Sequence, residues 1–409
     1  MKEQLDRYCA EPFRVFFPLA FLASLIGVAL WPLSLGGYLN GHPLEAHARW
    51  MITGFGGCLI VGFIGTAGPR LLEAGPWSPF ELIWHYLMAT AVLTALFFSE
   101  IGVTDFLAGF WFLGILGSMI ARVLFDRNDY PPPGVSLAFL GLLTAVISNF
   151  ALSLHSLLGF SYPWLQFWRS LYFQGFLWLP ILGVAPYLLP RFFGKASLHS
   201  FPDSDSLPPG WPKYGAFSIT AGVLLISTFA VEIWISPKGG LLFRAAITFS
   251  YLALFVPGLF SFSKVNALAL SLRWVPWCAA SAWILASFFI PLRIGILHLM
   301  FIGGAATVML AVATRVILGH QNRHDRLATP LRWYHFVWSM LLLTAATRLS
   351  ADFVPKVRMT HLSYAAGLWI IVIVFWALKI KKELRMPLPD PSTRGECPKR
   401  QKKRGPNLS

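Results

Sequence analysis

VFFPLAFLASLIGVALWPL, from Val15 to Leu33, carries no charged side chain. A helix needs about 20 apolar residues to cross a hydrocarbon layer, and this stretch is long enough. It follows Arg14 directly, lacks a small-residue cleavage site and outruns a signal h-region, so it reads as a retained span. Windows of the same character recur at 51–69, 80–99, 104–124, 135–158, 170–190, 215–235, 241–260, 274–291, 294–314, 333–350 and 361–379. With 14–33 they predict an all-α, polytopic membrane helix bundle of about twelve transmembrane helices.

Composition supports that class. Apolar residues make up 56% of the chain and charged residues only 12%, with a mean hydropathy of +0.62. A soluble domain carries about a quarter charged residues, so no stretch here has the polarity to cover one. The 35 Phe and 17 Trp suit a lipid-facing surface with interfacial rings. The net charge of +15 does not point to nucleic acid, because the basic residues lie in short segments between apolar runs and in a terminal cluster. That cluster (Lys399, Arg400, Lys402, Lys403, Arg404) suits anionic headgroups, so the expected partner is the lipid bilayer. Placing both termini in the cytoplasm puts most Lys and Arg on the inner side, even with the tail set aside.

Proline and polar residues divide the chain. Pro69, Pro76 and Pro79 separate two spans, as do Pro131, Pro132 and Pro133. The predicted organisation is a cytoplasmic N-terminus (1–13), six helices (14–192), a Ser-, Pro- and Asp-rich linker (193–212), six more helices (213–380) and a basic cytoplasmic tail (381–409). The cysteines (Cys9, Cys58, Cys278, Cys397) form no CxxC pair, so neither a disulfide framework nor a zinc motif follows. No nucleotide-binding or hydrolase motif appears in a usable context.

Histidines are the residues with chemistry to offer. An intramembrane imidazole needs a partner or a cavity. The predicted orientation places His47, His155, His298 and His361, from four helices, at similar depth near the outer leaflet. His85, His320, His324 and His335 fall on the inner side. Imidazole suits haem iron and copper, and bundles build such sites from facing helices. Gly303, Gly304, Ala305 and Ala306, and the glycines from Gly54 to Gly65, would admit either a flat macrocycle or a close helix. Arg70, Arg191 and Arg315 close spans on the inner side, where anchoring at headgroups is the expected role and pairing with haem propionates the alternative. Asp105 and Glu232 are candidate intramembrane carboxylates or span-end residues.

Leu297 to His320, LHLMFIGGAATVMLAVATRVILGH, resembles the most recognisable segment of NnrS family membrane proteins. His47 to Arg70, ending in GFIGTAGPR, resembles the family's early histidine span. Weaker similarity lies in Asn149 to His155 and in VAPYLLPRFF, Val184 to Phe193. The resemblance implies a haem- and copper-containing protein of the bacterial inner membrane that responds to nitric oxide and nitrosative stress. By matching position it carries over His47, His298 and His320 as metal-binding, with His155 a weaker match and a possible third contact of the cofactor. Where family members read His-Ala-His-Glu, this chain has Glu45 for the first histidine and Ala48 for the acid. Haem-copper oxidase subunits also have twelve spans and hold a low-spin haem between histidines of the second and tenth; the dinuclear-centre histidines they carry in the sixth and seventh have no counterpart here.

The expectation is therefore an NnrS-like haem protein with His47 and His298 as axial ligands, copper as a further metal and nitric oxide or a related small molecule as ligand. Whether it turns over a substrate, and which partner donates electrons, stay open. A twelve-span secondary transporter of two six-helix halves is the alternative, although no inverted repeat is visible. A haemless partner of a respiratory complex is a third reading.

Overall fold

A computed structural model describes residues 2–385, apart from 40, 41, 262, 264, 322, 324, 325 and 328. His324, Cys397 and the terminal basic cluster lie outside the described residues. Among the described residues the chain is all-α, with no strand.

A short helix, α1 (Lys2–Ala10), precedes the long ones. Ten helices are long and apolar enough to cross a membrane: α2 (Phe13–Leu35), α3 (Leu44–Leu71), α4 (Pro79–Phe97), α5 (Ile101–Asp126), α6 (Val135–Leu158), α7 (Tyr162–Phe193), α8 (Trp211–Ile235), α10 (Ala267–Phe288), α11 (Ile290–His320) and α13 (Pro355–Arg385). Two more, α9 (Pro237–Phe255) and α12 (Trp333–Phe353), have 19 and 21 residues and pack among them. Basic and polar residues such as Lys238, Arg244 and Arg348 make these two the less apolar members.

Local chemistry sets the helix ends. Ser78 and Glu81 form a reciprocal capping box at the start of α4, with Pro79 in the first turn. Ser236 alone joins α8 to α9, and its hydroxyl accepts from the Gly239 amide at 3.0 Å. Asn266 caps α10 in the same way. Gly159 ends α6 at φ +67°, a left-handed conformation that disfavours a side chain.

With lipid as solvent, close packing and satisfied polar groups hold helices together, because apolar burial between helices gains little. Gly183 of α7 shows the first effect, since a Cβ there would lie 2.8 Å from the Ala138 backbone nitrogen of α6. The second effect is a set of buried ion pairs. Arg49 makes two bonds to Asp105, at 2.7 and 2.6 Å, and ties α3 to α5. Arg244 bonds Glu232 at 2.8 Å, Thr228 at 3.0 Å and Gln174 at 3.1 Å, and ties α9 to α8 and α7. Asp105 and Glu232 sit near span ends, yet both are buried and paired with arginine.

The segment between α7 and α8 is stitched to the bundle. Trp211 donates its indole N–H to the Pro131 carbonyl at 2.7 Å, and the Ser204 amide bonds Asp129 at 2.9 Å. His199 is buried there, accepting from the Gly134 amide at 3.2 Å.

Candidate functional site

A cavity of about 500 Å³ lies among α2, α3, α7, α11, α12 and α13, towards the membrane face opposite the start of α2. His47 and His298 line it. Their ring centres are 6.4 Å apart and the ring planes differ by 16°. Each Nδ1 meets a backbone carbonyl, His47 at Gly27 (2.8 Å) and His298 at Ile294 (2.7 Å). A carbonyl only accepts, so each Nδ1 carries the proton and donates it. In a neutral ring that leaves the Nε2 lone pair free, and among the described residues neither Nε2 has a protein partner. An imidazole oriented through one nitrogen and open at the other is the arrangement a metal ligand needs.

The backbone around the pair is unusual in a matching way. α3 and α11 share one layout: six α-helical residues ending at or just past the histidine, eight π-helical residues, then fourteen α-helical residues. The π segments are Trp50–Gly57 and Leu299–Ala306. A third, Leu171–Phe176, follows Arg169 in α7, and a fourth, Val231–Ile235, contains Glu232. Arg169 and Glu232 also line the cavity. A π turn takes up extra residues and re-aims the side chains beyond it, which is why such segments gather at functional sites.

Small residues do two jobs. Gly303 packs against Cys278 and Gly304 against Trp178, which is helix packing. Gly56, Ala305 and Ala306, with Ala365 and Ala366 of α13, form part of the cavity wall. Phe55, Phe301 and Trp369 supply aromatic surface.

Three guanidinium groups line the cavity as well: Arg169, Arg293 and Arg348. Each also meets an acid, Arg169 with Glu45, Arg293 with Glu232 at 3.5 Å and Arg348 with Asp352 at 3.1 Å. Arg49, Arg244 and Arg358 complete these ion pairs. Six arginines thus share four carboxylates (Glu45, Asp105, Glu232, Asp352), an excess of two positive charges.

The other histidines stand apart. His155 accepts from the Phe160 amide at 2.8 Å and closes the end of α6; it does not line the cavity. His361 bonds Ser350 at 2.8 Å. His320, at the far end of α11, bonds Glu11 through Nδ1 (2.8 Å) and meets Arg70 at Nε2 (3.0 Å). Arg191 and Arg315 lie over the rings of Tyr187 and Phe192 near that same face. Among the described residues no group of three or more His, Cys, Asp or Glu side chains converges as a metal site. The structure therefore joins two of the four outer histidines. The arginines singled out by the sequence pattern (Arg70, Arg191, Arg315) close spans at the opposite face from the cavity arginines. A sequence signal did exist: Arg169, Arg293 and Arg348 fall in segments that the N-in expectation puts on the outer side, where the positive-inside rule expects few basic residues.

Fold and cavity together define a polytopic α-helical membrane protein with a paired-imidazole cavity between its second and tenth long helices. The chain belongs to the NnrS family, since the family model described as NnrS protein matches residues 7–387. The comparison with curated proteins finds no match.

Proposed function

We propose that this protein binds haem between His47 and His298, and that it serves the nitric-oxide and nitrosative-stress response associated with its family. One observation carries the cofactor reading. The two rings lie 6.4 Å apart with each Nδ1 donated to a backbone carbonyl, so both imidazoles could hold one metal ion through Nε2. The donor set fits haem on two further counts. The cavity is large and mostly apolar, and the ion pairs around it leave two positive charges unmatched, the number that two propionates would balance.

In this reading the chain's own residues do four things. Gly27 and Ile294 fix the two imidazoles in the tautomer with a free Nε2. Ala305, Ala306, Ala365 and Ala366 give the ring system a low wall to lie against. Arg169, Arg293 and Arg348 hold carboxylates at the outer end. Phe55, Phe301 and Trp369 keep water from the apolar part. Bound haem supplies one-electron chemistry at a potential set by its ligands and nearby charge. Two imidazoles are also a donor set for copper, but a copper ion alone needs no cavity of this size.

A reduced-minus-oxidised difference spectrum of the purified protein tests the proposal. Haem absorption at about one equivalent supports it. A correctly folded protein from haem-replete cells with no haem band refutes it. The basic cavity favours one rival, a carrier for a small anion, which uptake into proteoliposomes would reveal in a haem-free preparation.

A further inference from the structure

A second pocket, of about 550 Å³, lies at the opposite membrane face, where α2 begins and α13 ends. It is formed by α1, the first two turns of α2 and the last turns of α13. Its polar end presents Arg7, Arg14, Lys381 and Arg385, and no carboxylate lies among its lining residues. Arg14 is already engaged with Glu11 and the Leu384 carbonyl, so it contributes charge and structure together. Arg7 differs, because among the described residues its Nε is buried without a protein partner. Lost hydration and the nearby Arg14 push the Arg7 guanidinium below the usual arginine range. Arg7, Lys381 and Arg385, beside the paired Arg14, make this end of the pocket favourable for an anion.

The other end of the pocket is apolar. Phe21 and Ala377 line it, about two helical turns from the basic end, roughly 10 Å deeper at 1.5 Å per residue. Phe21 also packs edge-on against Trp376, with ring centres 4.6 Å apart. A free phosphate would use only the basic end; a molecule with an anionic head and a hydrocarbon chain matches both. The chain beyond Arg385 carries mainly the same sign of charge as the pocket and would be repelled by it. We infer that the groove between α1, α2 and α13 is a binding site for one anionic phospholipid, its phosphate held by Arg7, Arg14, Lys381 and Arg385 and an acyl chain lying along Phe21 and Ala377. Basic pockets between membrane helices are known to take such headgroups. The inference is independent of the haem reading.

The test is native mass spectrometry of the full-length protein titrated with phosphatidylglycerol, phosphatidylcholine or inorganic phosphate. Lys381→Gln/Arg385→Gln is the site variant; both side chains are exposed, so the fold should tolerate the change. Lys379→Gln/Lys382→Gln, on the same helix but outside the pocket, is the charge-matched control. The expected result is one tightly held phosphatidylglycerol, weakened about thirty-fold in the site variant and unchanged in the control. Equal retention of phosphatidylcholine, equal binding of inorganic phosphate, or equal losses in both variants would each overturn the assignment.

Discussion

His47 and His298 come from distant parts of the chain, yet their rings lie 6.4 Å apart with planes within 16° of each other. Neither ring is free to turn, because a backbone carbonyl holds each Nδ1. If haem is held between them as proposed, near-parallel imidazole planes would leave the ferric ion's two dπ orbitals (dxz and dyz) unequal in energy. The oxidised protein should therefore give a rhombic low-spin electron paramagnetic resonance spectrum. A single strongly shifted feature, the signature of perpendicular rings, would mean that the pair is arranged differently when loaded.

The arginines around the cavity should tune a haem bound there as proposed. Arg348 lines the cavity and bonds Asp352 at 3.1 Å. Positive charge near a metal favours the reduced state, so Arg348→Gln should lower the reduction potential, by on the order of tens of millivolts. A potentiometric titration reads this directly, and an unchanged or raised value would remove Arg348 from the site's electrostatics.

Arg49 and Asp105 form a doubly bonded, buried pair between α3 and α5, with Arg49 two residues beyond His47 on α3. Asp105→Asn leaves the guanidinium with only the more exposed Glu45 as counter-charge and should cost on the order of 3 kcal/mol of stability. Arg49→Met/Asp105→Leu removes both charges and should recover much of the loss. Thermal unfolding of the purified variants checks the order wild type, double variant, single variant.

His199, in the loop between α7 and α8, gives a pH dependence away from the cavity. Its Nδ1 accepts from Gly134, so the ring is neutral, and burial lowers its pKa from 6.5 to about 4. The unfolded chain takes up the proton first as pH falls. Stability is therefore full above about pH 6.5, declines between there and pH 4, and levels off below, with a total loss of up to about 3 kcal/mol. His199→Gln should flatten this part of the stability profile; a profile that keeps its slope would place the titrating group elsewhere.

Much of the architecture was legible because a membrane span announces itself as a long uncharged run, as Val15 to Leu33 does. The histidine pairing was legible in part. Orientation gave His47 and His298 a common depth, but it gave the same depth to His155 and His361, and depth says nothing about direction around a helix axis. His155 turns to its own loop and His361 to Ser350. The π segments were not legible, because Trp50–Gly57 and Leu299–Ala306 have the apolar composition of any span and differ only in hydrogen-bond register. Nor were the ion pairs, since Arg49 and Asp105 lie on separate helices and meet only through packing.

Haem content measured side by side in the wild type and in His47→Ala, His298→Ala and His155→Ala is the most direct test. One haem per chain in the wild type and in the His155 variant, with haem lost or weakened in the other two, is the predicted result. Full retention in both His47→Ala and His298→Ala, in well-folded protein, would contradict the account.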